Sequence, residues 1–97
     1  MTLRTTEILS DVADELHMPE DDLIRMGVHS YLERQFRSIQ AEIFALLSRH
    51  NVASVEDMEE HYRNGLLEEA DTWQDLQRLD HLEYKRDRLQ QLLEILS

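Results

Sequence analysis

The chain contains no cysteine, so neither a disulfide framework nor thiol chemistry is open to it, which fits an intracellular protein. Glycine and proline are scarce, two and one in 97 residues, and each reads as punctuation between helices. There is no glycine-rich phosphate loop, nucleophile elbow or Cys/His pairing. The longest apolar run, Ile43 to Leu47, is far short of the roughly 20 residues that a membrane span requires. No basic segment followed by an apolar one opens the sequence, so no secretory signal is expected and the cytoplasm is the expected location. Cations are scarce too: ten Lys and Arg stand against 21 Asp and Glu, a formal net charge of −11. That balance repels nucleic acid and anionic membranes and favours a basic protein partner; a merely well-solvated surface would account for it equally.

What the chain does have is leucine at helical spacing. Residues 72–96 carry no Gly or Pro, and Thr72 with Asp75 three residues on has the spacing of a capping box. At 100° per residue Leu76, Leu79, Leu82, Leu89, Leu92, Leu93 and Leu96 share one broad side, and most fit a coiled-coil heptad with Arg86 as the charged interruption. Trp73, Tyr84 and Ile95 fall on the opposite side, among Asp80, Asp87 and Arg88.

Three more helices precede this one. Residues 6–17 place Ile8, Leu9, Val12 and Leu16 at amphipathic spacing. Residues 19–50 open with Pro19 and the acids Glu20, Asp21 and Asp22, and carry a continuous stripe from Ile24 to Leu47. Residues 54–64 start at Ser54 with Asp57 three residues on, and Asn64-Gly65 gives a left-handed stop. The expected architecture for residues 1–97 is a single all-α domain, with two long antiparallel helices and two short ones. A helical hairpin this small leaves apolar surface uncovered, so a dimer is expected, with Val28, Leu32, Phe36, Ile39, Leu79, Leu82, Leu89 and Leu93 as its seam.

Catalytic chemistry finds no footing. The five histidines are scattered, and the pairs Asp14/His17 and Asp57/His61 sit on short helices without further carboxylates to complete a metal site. No metal, cofactor or catalytic residue is assigned. Trp73 has two readings. It packs on Leu66 and Leu67 to cap the hairpin, or it serves with Asp80, Tyr84, Asp87 and Arg88 as a partner-binding face, since Trp, Tyr and Arg dominate interface hot spots. Gly27, inside a helix, signals either a small loss of stability or close packing of a neighbour. Arg86 is a stem at the seam edge or a register-setting polar residue.

Residues 2–37 also admit a ribbon-helix-helix reading, in which a short strand precedes two helices and Arg4 reads bases. On that reading the chain is a small transcriptional regulator; a structural helical adaptor is a further alternative. Two segments resemble small prokaryotic antitoxins. ELHMPEDDLIRMGVHSYLERQFRSIQAEI is similar to the helix, turn and helix of such proteins. HNVASVEDMEEHYRNGLLEEADTWQDLQRLDHLEYKRDRL resembles the C-terminal half of small archaeal and bacterial proteins of the same kind. The resemblance implies a non-enzymatic partner of a toxin–antitoxin operon, which binds and neutralises a basic toxin protein.

Overall fold

Helix ends in this chain are set by left-handed residues rather than by proline alone. The computed structural model describes residues 4–65 and 69–96, which form four helices: α1 (Thr5–Leu16), α2 (Glu20–Arg49), α3 (Val55–Arg63) and α4 (Glu69–Leu96). His17, at φ 55°, ends α1: its own N–H bonds to the Asp14 carbonyl and that of Met18 to the Ala13 carbonyl, a Schellman closure. Asn51, at φ 54°, ends α2 in the same way through the Ser48 and Leu47 carbonyls. Gly65, at φ 69°, follows α3 as the Asn64-Gly65 pair predicts. Ser54 caps α3, its hydroxyl accepting from the Asp57 N–H at 3.1 Å.

Thr72 does not cap α4. The helix begins at Glu69, and Thr72 lies inside it, buried on the same ridge as Leu76 and Leu79. Burial along the i, i+4, i+7 row outweighed the local capping signal. Pro19 stands one position earlier than the first turn, as the extended residue before Glu20. Nothing approaches within 4 Å of a Cβ built on Gly27, so within the chain this glycine makes no room for a neighbour.

α2 and α4 run antiparallel, as their cross-links show: Glu42 pairs with Arg78, while Arg49, further along α2, pairs with Asp75, further back on α4. α3 folds across the closed end of this hairpin. The core sits there, built from Ile43 and Leu46 of α2, Val55 and Met58 of α3, and Leu76, Leu79 and Leu82 of α4. Leu79 and Leu82, two residues expected on an oligomer seam, are 0% and 1% exposed and pack within this chain's own core. Ile39 packs against the same cluster. Towards the open end Leu32, Phe36, Leu89 and Leu93 are only half-buried, and Val28 is exposed. α1 contacts α2, to which three residues join it, and buries only Ala13.

Among the described residues there is no strand, and α1 starts at Thr5, so only Arg4 is seen extended before it. Thr2 and Leu3 of the expected ribbon lie outside the described residues, as do Leu66 and Leu67, the expected packing partners of Trp73. No described helix is long and apolar enough to cross a membrane.

Candidate protein-binding surface

Because α4 is far longer than α3, its outward face is covered only near the closed end. Trp73 and Tyr84 stand eleven residues apart, about 16 Å along the axis and within about 20° in direction. They are 53% and 69% exposed. The structure nevertheless divides four of the five expected partner-binding residues between two grooves, and Asp87 lines neither of them. Trp73 and Asp80 line one between α3 and α4, with Glu59, Tyr62, Arg63 and Leu76. Tyr84 and Arg88 line another between α2 and α4, with Tyr31, Leu32, Gln35, Ile39, Lys85 and Leu89. Asp87 accepts from Arg86 at 3.2 Å, and Arg88 donates to Gln91 at 3.0 Å.

The α3–α4 groove suits a cationic visitor. Its lining joins the Trp73 indole and the Tyr62 ring to the Glu59 and Asp80 carboxylates, with Arg63 the one cation among the described lining residues. The α3 contributors were not nominated from sequence, because which face of a nine-residue helix meets α4 depends on the turn at 51–54. Tyr62 next to a lone tryptophan helix was the available signal.

The electrostatics behind this groove are strained. Arg86, on the leucine side, is half-buried and reaches Glu83 at 3.5 Å and Asp87 at 3.2 Å, so its role within the chain is an intrahelical ion pair. The Glu83 carboxyl is pushed above its ordinary value. Burial is the main cause; Arg86 pulls the other way, and Glu56, Asp80 and Asp87 push in the same direction as burial. A carboxyl whose pKa is raised by folding binds its proton more tightly in the folded state. Its ionisation therefore opposes folding as pH rises through the carboxylate range. Glu83→Gln is accordingly expected to raise the unfolding temperature at neutral pH, by a margin that vanishes in acid once both states of the wild type are protonated. Thermal melts of both proteins between acid and neutral pH check this; a variant less stable at neutral pH would show that the Arg86 pair outweighs burial and repulsion.

The closed end holds a polar cluster that sequence spacing did not reveal. Asp75, largely buried, accepts from His50 Nε2 at 2.6 Å and from Arg49 at 3.2 Å. A carboxylate only accepts, so Nε2 carries the proton. No group of three or more metal-capable side chains occurs among the described residues. The arrangement is a clamp between the end of α2 and the start of α4.

No curated protein and no solved structure matches the chain. A family profile, that of the uncharacterized protein MJ0235 family, matches residues 1–97 in full. The chain, an acidic helical hairpin closed at one end by a short crossing helix, belongs to the uncharacterized protein MJ0235 family.

Proposed function

We propose that this protein is a non-enzymatic protein-binding module, and that the α3–α4 groove receives a basic protein. The observation that carries the reading is Trp73, half-exposed in a groove that Glu59 and Asp80 also line. An exposed indole beside carboxylates supplies desolvated area to a partner, while the acid speeds the encounter and rejects acidic competitors. The net charge of −11 extends that selection over the whole surface. In its most specific form the module is an antitoxin that masks a basic toxin enzyme, as the antitoxin-like segments 15–43 and 50–89 suggest.

The test asks whether a small basic protein is encoded beside this chain in its genome and pairs the two; the absence of such a neighbour would remove the antitoxin reading. Co-expression is expected to relieve growth arrest by that protein, and Trp73→Ala to weaken the purified complex tenfold or more, the size of a modest hot spot. Helicity measured in parallel should be unchanged. Normal binding by Trp73→Ala would remove the groove from the interface, and an inert neighbour would remove the antitoxin reading while leaving the module.

A further inference from the structure

The first half of the molecule buries little of its own apolar surface. No described residue of α2 before Ile43 is buried, and α1 buries only Ala13. Ile8, Val12 and Leu16 of α1 remain 40–56% exposed. Their i, i+4, i+8 spacing makes one ridge about 12 Å long. The adjacent i+4 row is Glu7, Asp11 and Glu15, all exposed. α1 thus shows an apolar ridge with an acidic ridge alongside.

A surface of matching chemistry lies on the same chain. Beyond the groove lined by Tyr84 and Arg88, a second depression between α2 and α4 lies towards the open end, lined by Ile24, Val28 and Leu96. The cations of the two are Arg25 in this depression and Lys85 and Arg88 in the first; Asp21 is the one acid among the described lining residues. Neither Arg25 nor Lys85 pairs with any described carboxylate. Three of only ten cations therefore border these apolar depressions in a chain of net charge −11.

The chain exposes more surface than a compact protein of its mass. The chain measures 60 × 32 × 16 Å and exposes 7574 Å². A compact protein of its mass exposes about 5,800 Å². The surplus, about 1,700 Å², exceeds the roughly 800 Å² that one partner contributes to a standard protein–protein interface.

We propose that the occupant of these depressions is a second copy of the chain. α1 of each copy lies in the α2–α4 groove of the other, giving a twofold dimer with two identical helix-in-groove contacts. A chain cannot fill its own groove, because only His17, Met18 and Pro19 join α1 to α2, and α1 is already in contact with α2. In the exchange, Ile8, Val12 and Leu16 meet Ile24, Val28 and Leu96, and the acidic row meets Arg25, Lys85 and Arg88. This interface is separate from the Trp73 groove and stands whether or not that groove binds a partner.

Charge exchange between two variants tests the geometry. One carries Glu7→Lys, Asp11→Lys and Glu15→Lys; the other Arg25→Glu, Lys85→Glu and Arg88→Glu. All six positions are exposed in the single chain, and circular dichroism checks that helicity is kept. Sedimentation analysis is expected to show a wild-type dimer and, for each variant alone, a dissociation constant raised at least tenfold. Mixing the two should restore a one-to-one heterodimer, since every α1 then meets a groove of opposite sign. Val12→Ser alone should also weaken the dimer. A wild type that stays monomeric at high concentration overturns the proposal. Variants that dimerise like wild type, or a mixture that fails to associate, overturn it as well.

Discussion

Leu79→Ala should lower the stability of the folded chain by about 3 kcal/mol, within the usual range for a leucine truncated in a closed core. Leu79 is 0% exposed and belongs to the cluster that joins α2, α3 and α4. Its truncation removes the transfer free energy of the lost methyl groups and leaves a cavity among three helices that cannot all move inward. A domain of this size has only about 5–15 kcal/mol in all, so the variant sits near its limit at elevated temperature. The same change at Leu92, half-buried towards the open end, should cost less than about half as much, because solvent already reaches that site. Urea titration followed by circular dichroism measures both. Equal losses at the two sites would mean that the stabilising core is spread along the hairpin and not gathered under α3.

Asp75→Ala is expected to cost about 2 kcal/mol by stranding a nearly buried imidazole N–H. His50 is 11% exposed at its side chain and Asp75 14%, and the carboxylate serves both His50 and Arg49. Arg49, 66% exposed, should contribute little, and Arg49→Ala should change stability by less than about 0.5 kcal/mol. A double-mutant cycle between His50→Ala and Asp75→Ala isolates the buried pair, and a coupling of about 1 kcal/mol or more is expected. Asp75→Asn keeps an acceptor and should recover most of the loss. If Asp75→Ala unfolds within experimental error of the wild type, the clamp contributes nothing to holding the hairpin shut.

Much of the secondary structure was legible because it rests on local rules. The stripe from Ile24 to Leu47 and the leucines from Leu76 to Leu96 mark two long helices by period alone. Ser54 and Gly65 mark the ends of α3 through cap geometry. His17 was less legible, since histidine takes the left-handed conformation only occasionally. Thr72 misled, because a capping-box spacing and a buried ridge position look alike until the neighbour is known. The aromatic face was half-legible. Direction around α4 placed Trp73 and Tyr84 together, but α3 borders the groove at Trp73 and α2 the groove at Tyr84.

The sequence by itself determined an all-helical chain with two long amphipathic helices, strongly acidic and without thiol chemistry, because period, cap residues and composition act within a few residues of where they occur. Tertiary structure alone decided which leucines are consumed internally. Leu79 and Leu82 disappear under α3, whereas Ile24 and Val28, with the same hydrophobic character, remain at the surface. It alone joined His50 to Asp75 across 25 residues and set Trp73 beside Glu59 and Tyr62. The reason is geometric: a stripe shows that a helix face will be buried, but not against what. That depends on where α3 crosses the hairpin and where its cover ends.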